Sequence, residues 1–324
     1  RRYMPRYELS LSPDYVQDWG IIEAVRELFQ NAIDQEAVNP ENEMDWSYED
    51  ETLTISSKQS VLDKSSLLLG NTTKNTDNKT IGSFGEGYKL ALLVLARSGY
   101  DVQVINAHTK EVWTPKIIKS KRYNSELLVI DVSKPVFSKI PKHSLSFVIQ
   151  GIDRATFEVI KETNLHINED EPEKIIPTDY GGIIESPGFE GKIFVNGLYV
   201  TTLDRFNYGY DIKPVFIEIG RDRDLVNSFS IARVSTKMWL ATGMFDFIRD
   251  MVKKNYEDIS AIRDIIKFHS YSPAEDFQKY MTEKFIEENG GKSVPVSSHS
   301  QYSLFAQKNY GVKPIFVNPT EKEV

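Results

Sequence analysis

Apolar residues recur at helical spacing early in the chain. Over residues 20–38, Ile21, Ile22, Val25, Leu28, Phe29, Ala32 and Ile33 make one wide face, which predicts an amphipathic helix. A short alternating segment at 7–12 precedes it and is closed by Pro13. The acidic stretch 41–51 reads as a surface connection, followed by a short strand at 52–55 and a Ser-, Asn-, Thr- and Lys-rich stretch running to Lys79. Helical spacing returns over 84–97. Alternation then predicts strands of one sheet at 100–106, 111–118, 127–132 and 145–150, with a further helix at 156–165. The polar, Pro- and Gly-containing run 168–191 marks an expected domain boundary. Beyond it lie strand candidates at 192–200 and 215–219, a helix-rich tract over 228–288 and a break near Gly290 and Gly291. A helical 302–310, an extended 313–317 and a polar tail follow.

Composition narrows the chemistry. The 324 residues are 40% hydrophobic, enough for two modest cores. A net charge of -8 disfavours a phosphate backbone or an anionic membrane as partner of the whole molecule. The absence of cysteine removes disulfides, thiol catalysis and cysteine metal sites, and five scattered histidines show no metal-ligand spacing. No apolar run approaches the roughly 20 residues of a membrane span, and residues 1–6 lack an apolar signal core, so the expectation is a soluble, cytoplasmic protein.

Two features carry candidate chemistry. Glu27, Asn31 and Asp34 stand at i, i+4 and i+7 and share a narrow stripe of the first helix. Alone, such a stripe is the solvated face of any amphipathic helix. The residue types add more: a carboxylate orients and deprotonates water, and an Asn carbonyl oxygen is a hard, neutral ligand suited to Mg2+. The second feature, Thr80 to Lys89 (TIGSFGEGYK), is a glycine-rich turn opening into an apolar helix. Glycines admit close approach of backbone N–H groups to an anion, and the helix start adds partial positive charge. It is neither a Walker loop, since no GKS or GKT follows, nor a dinucleotide fingerprint.

The conjunction of the two, Glu27 to Asp34 (ELFQNAID), then a strand, a polar loop, and Ile81 to Lys89, resembles the GHKL superfamily of ATP-binding proteins, which includes gyrase B, MutL, the large heat-shock chaperones, sensor histidine kinases and MORC proteins. The resemblance implies an α+β chain: a Bergerat-fold helix-and-sheet sandwich over 1–180, a transducer-like (S5-like) α/β second domain over 190–270, and a helical C-terminal segment, 271–324. It implies Glu27 as the general base and Asn31 as the Mg2+ ligand, with Asp34 an outer polar contact. Gly82, Gly85 and Gly87 would let a lid at 71–79, containing Lys74, close over the ATP phosphates; Lys89 matches a lysine of MORC-like members. Arg221 and Arg223 are candidates to reach the terminal phosphate, weighed against a surface cluster in which they pair with Asp222 and Asp224.

The chain departs from the family at one point. Where members carry Asp-x-Gly-x-Gly to receive the adenine amino group, Ser57 to Val61 (SKQSV) stands here. Ser57 offers a hydroxyl in place of a carboxylate, and Ser146 sits where many members have a threonine sharing the same water. The resemblance thus implies an ATP-dependent conformational switch with slow Mg2+-dependent hydrolysis, a protein partner, and nucleotide-dependent homodimerisation. The competing reading is a degenerate scaffold, a pseudo-ATPase that binds or inhibits a protein. Nucleic acid is not expected as a partner of the chain alone.

Overall fold

A computed structural model describes residues 4–9, 11–68, 87–121, 124–135, 143–168, 172, 174–217, 228–308 and 311–324. The chain is α+β and divides into two compact units, Arg1–Asn164 and Leu165–Val324. This differs from the expected three-part division. The first unit ends ahead of the 168–191 run, and the last 54 residues are no separate segment: Ala274, Phe277, Met281 and Val324 share one core with Ile183, Trp239 and Ile248.

The first unit contains, in chain order, β1 (Arg6–Glu8), α1 (Ile21–Val38), β2 (Met44–Glu49), β3 (Thr52–Ser57), α2 (Ser65–Leu68), α3 (Gly87–Arg97), β4 (Asp101–Asn106), β5 (Glu111–Ser120), β6 (Ser125–Ser133), β7 (Leu145–Gln150) and α4 (Arg154–Glu162). Among the described residues the strands form one sheet in the order β1-β6-β5-β4-β7-β3-β2, and every pairing is antiparallel. Helix α1 starts where the Gly20 N–H donates to Glu23 Oε2 at 2.8 Å, and it stops before Pro40, which disfavours helix at the residue ahead of it. The helices α1 and α3 pack on each other, α1 against β3 and α3 against β4 and β5. They cover one sheet face with buried Val25, Leu28, Leu92 and Leu95.

Register arranges that covered face in rows. Leu53, Ile149 and Val102 face one another across β3, β7 and β4; Ile55, Phe147, Val104 and Trp113 make the next row, extended onto β5. All seven are buried. The expected acidic connection at 41–51 contains a strand, β2, because its inward Trp46 and Tyr48 pack on Phe157 of α4 while Asp45 and Glu49 alternate with them. Its turn into β3 places Asp50 and Glu51 at positive φ, 49° and 56°, without the usual glycine.

The second unit contains β8 (Ile175–Thr178), β9 (Gly181–Ile184), β10 (Lys192–Val195), β11 (Leu198–Thr202), β12 (Gly209–Ile212), α5 (Ser228–Ala241), α6 (Phe245–Lys253), α7 (Ile262–Phe268), α8 (Ser272–Asn289), β13 (Ser293–Val296), α9 (His299–Lys308), β14 (Lys313–Phe316) and α10 (Pro319–Glu323). Its larger sheet runs β11-β10-β12-β9-β8, with β10 and β12 parallel. The hairpin turn at Asn196 and Gly197 has φ of 51° and 75°, as its sequence predicts. The expected boundary run holds β8 and β9 instead. Its glycines serve close strand approach: a Cβ on Gly181 would collide with the Asp211 carbonyl. The expected strand at 215–219 begins as a short 3-10 turn, Pro214–Phe216, and the polar tail contains α10, with Val324 buried after it. Fully buried Asp258 accepts from the Asn207 and Tyr208 N–H groups at 2.9 and 3.1 Å and from the Tyr210 hydroxyl at 2.6 Å, so its burial is matched by donors. No helix among the described residues is long and apolar enough to cross a membrane.

Candidate functional site

One end of the first unit collects most of the described candidate residues. The third row of the covered sheet face is polar where the others are apolar: Ser57, Leu145, Asn106 and Glu111 stand opposite one another across β3, β7, β4 and β5. All four are buried. The segment after β3 is laid over this rim. Asn106 Nδ2 donates to the Leu62 carbonyl at 2.6 Å, and Lys64 Nζ sits 2.7 Å from Glu111 Oε1. One residue into α3, the Tyr88 hydroxyl is 2.6 Å from Ser66 Oγ of α2, so α3 starts at this same end.

Glu27 and Asn31 reach the rim because α1 and α3 run antiparallel. At the far end of α3, Arg97 donates to the carbonyls of Pro13, Tyr15, Val16 and Trp19, just ahead of α1. At the near end, Gly87 meets Glu27: an ideal Cβ on Gly87 would land 2.5 Å from Glu27 Cδ and on top of Oε1. Only a glycine leaves that seat to the carboxylate. Further along α1, Glu36 Oε2 accepts the Met44 N–H at 3.0 Å, and Met44 pairs with Ser57. Asn31 lies between these two anchors. It is buried, and its Nδ2 has no hydrogen-bond partner among the described residues.

The expected Glu27, Asn31 and Asp34 stripe is therefore graded in burial. Glu27 is half-buried, Asn31 buried and Asp34 exposed, so Asn31 is no part of a solvated face. Lys89, in the first turn of α3, is buried. The expected sharing of one water by Ser57 and Ser146 is corrected. Ser146 pairs with Ser56, their hydroxyls 2.8 Å apart, while Ser57 pairs with Leu145. Successive strand residues face opposite sides, so Ser57 belongs to the helix-covered face and Ser146 to the other. Lys74, Gly82, Gly85, Arg221 and Arg223 lie outside the described residues.

No family profile matches the chain. It is similar to an uncharacterized protein of Mycoplasma pneumoniae, 28% identical over 202 residues, which spans 60% of this chain and 79% of that relative. The similarity assigns no activity, so the chemistry rests on the rim itself.

Its electrostatics are organised around Glu111. Burial pulls that carboxyl upward, but hydrogen bonds from Lys64 and Trp113 and the Lys64 charge outweigh it, leaving its pKa lowered. Trp113 Nε1 donates to Glu111 Oε2 at 3.1 Å. Glu111 is thus committed as a structural anion that ties Lys64, just ahead of α2, to the sheet. Two other buried atoms here have no hydrogen-bond partner among the described residues, Asn106 Oδ1 and, in the segment after β3, Ser60 Oγ. Sequence reading missed Asn106, Glu111, Lys64 and Ser60. The signal for the first was available: Asn106 continues the inward parity of Val102 and Val104, a polar residue at an apolar position.

Proposed function

We propose that the first unit is a nucleotide-binding switch of GHKL type that hydrolyses ATP slowly with Mg2+. The observation that carries this reading is the seating of Glu27 against Gly87 at the start of α3, with a buried Asn31, its Nδ2 without a partner among the described residues, one turn along α1. A buried amide nitrogen without a protein partner calls for one from outside the chain, a water, an ion or a ligand. Half a turn about its last bond offers either the N–H2 group to a phosphate oxygen or the carbonyl oxygen to a hard cation. The donor set fits Mg2+, which commonly takes one or two protein oxygens and completes its shell with water and phosphate. When bound, that ion would neutralise charge on the phosphates. Glu27 would orient the attacking water and accept its proton, and Lys89 and the backbone at the start of α3 would hold the phosphates. ATP occupancy would change how the units or subunits associate, and a protein partner, a nucleotide-dependent homodimer and a cytoplasmic setting belong to the same reading.

A second reading, a nucleotide-free scaffold that binds a protein, is favoured by one observation: Ser57 and Ser146 face opposite sides of the sheet, so the expected base-binding pair is not assembled. Phosphate release assays separate the two. The native protein is expected to turn over ATP only with Mg2+. Glu27→Gln should lower the rate about a hundredfold or more while ATP still binds, and Asn31→Ala should weaken binding itself. Equal activity in native protein and Glu27→Gln would remove the proposed base.

A further inference from the structure

The geometry points to an interaction surface on the second unit, where the exposed stripe of α5 and the flank of α7 take an acidic amphipathic helix of a partner protein. The inference stands apart from the nucleotide reading and gives a chemical class to the protein partner that reading leaves open.

Helix α5 is a core helix with one outlet to solvent. Beyond its first turn every residue is buried except Arg233, Lys237 and Ala241. These continue from half-exposed Phe229 at i+4 spacing and make one stripe along the helix. Both cations rest on aromatic rings: the Arg233 guanidinium lies 4.8 Å from the Phe229 ring centroid, and Lys237 Nζ lies 5.8 Å from that of Tyr271. The rings extend the surface, from Tyr271 to Tyr180 at 6.4 Å and from Tyr180 to Phe216 at 4.7 Å. Lys213 joins there, its N–H donating to the Tyr180 carbonyl at 2.9 Å. On the other flank α7 packs on α5 and carries Asp264 and Phe268 one turn apart. Asp264 Oδ2 is 3.4 Å from Arg233 and 3.5 Å from His269.

Two properties suit this surface to docking. It is apolar at several adjoining places, since Val215 is 81% exposed, Phe268 77% and Phe216 40%. Its cations are also incompletely used. Lys213 and Lys237 make no ion pair among the described residues. Arg233 and Asp264 pair without a hydrogen bond, and Arg233 Nε and Asp264 Oδ2 are buried atoms with no hydrogen-bond partner there. Helix α5 contains two cations and no carboxylate, in a chain whose net charge is -8. Asp264 and Asp179, next to Tyr180 in the chain, are the acidic residues that border the stripe.

Arg233 and Lys237 are one turn apart, about 6 Å along the axis, which is the spacing of carboxylates at i and i+4 on a facing helix. The apolar face of that helix would cover Phe229, Phe268, Phe216 and Val215. Single-stranded nucleic acid fits less well. Base stacking needs open ring faces, and Arg233 and Lys237 already lie on those of Phe229 and Tyr271.

The test is fluorescence anisotropy of the full chain with three labelled probes. One is a peptide of about 20 residues that forms an amphipathic helix, with leucine on one face and glutamate on its flanks. The second has lysine in place of glutamate, and the third is an oligothymidylate. The glutamate peptide is expected to bind at least tenfold more tightly than either other probe, and less tightly as salt is raised. Lys237→Glu should weaken it at least tenfold, and so should Val215→Asp, a change at a side chain outside the core. Equal binding of the two peptides, no binding of the glutamate peptide at millimolar concentration, or binding that both variants keep overturns the proposal. Tighter binding of the oligonucleotide would reassign the surface to nucleic acid. Dimerisation abolished by Lys237→Glu would reassign it to a second copy of the chain, and either result overturns the acidic helix as partner.

Discussion

Gly87 is the position where one added carbon has the sharpest consequence. Gly→Ala in a helix ordinarily stabilises by about 0.5–1 kcal/mol. Here the new methyl group would occupy the place of the Glu27 carboxyl. That carboxyl is the free end of a flexible side chain, so it can swing aside, and the cost falls on its position more than on the fold. Gly87→Ala should therefore change unfolding free energy by no more than about 1 kcal/mol, read by urea denaturation. Phosphate release should fall about a hundredfold, as in Glu27→Gln. Full activity in Gly87→Ala would mean that the carboxylate's seat at the start of α3 has no part in the reaction.

At the scale of elements, α3 joins the site to the segment that precedes α1. The Arg97 guanidinium donates to four backbone carbonyls at 2.7–2.8 Å. Hydrogen bonds from a charged donor are among the stronger ones, and four converging on one planar group fix the path of residues 13–19. Arg97→Ala should cost about 2 kcal/mol, discounted for partial exposure, and should raise hydrogen exchange in residues 13–20 ahead of the strands. Unchanged exchange there would show that the segment is held by other contacts. The first helix and the long central strands were legible in the sequence because apolar residues mark them out, at helical spacing in α1, with alternating burial in β4 and in nearly continuous buried runs in β6 and β7, so α1 and β4 to β7 read out almost as they stand. Strand β2 was not, because its acidic outward positions and its Asp50–Glu51 turn look like a loop until Phe157 supplies the surface that buries Trp46 and Tyr48. In the candidate site, Glu27, Asn31 and Gly87 were legible as types at a spacing. The role of Ser146 was misread because one residue of register reverses the face, which spacing along one strand cannot reveal. Asn106 showed in the sequence only as a polar residue at an inward position of β4, and Glu111 not at all, because both join the site through the pairing of β4 with β7 and β5.

The whole molecule carries an acid-sensitive anchor in its first unit and another in its second. Glu111 is held below its ordinary 4.5 by Lys64 and Trp113 against the opposing pull of burial, and Glu323 is lowered to about 2 by Arg263 and Lys267. For a carboxylate with a depressed folded pKa, the contribution to stability is complete above the unfolded value and disappears as pH falls through the folded one. Stability should therefore decline below about pH 4.5. Glu111→Gln should lower stability at pH 7 by about 1–2 kcal/mol, with a smaller further loss between pH 5 and pH 3 than in native protein, measured by denaturation across that range. An acid limb of identical size in the variant would mean that other groups govern it.

The proposed nucleotide site at the rim of the first unit is tested most directly by isothermal titration calorimetry of the full chain with ATP, with and without Mg2+, beside Asn31→Ala. The arrangement of Glu27, Asn31, Gly87 and Lys89 predicts saturable binding that needs Mg2+ and weakens at least tenfold in Asn31→Ala. Absence of heat at millimolar ATP, or equal binding by Asn31→Ala, would contradict it and turn attention to a protein partner of a nucleotide-free scaffold.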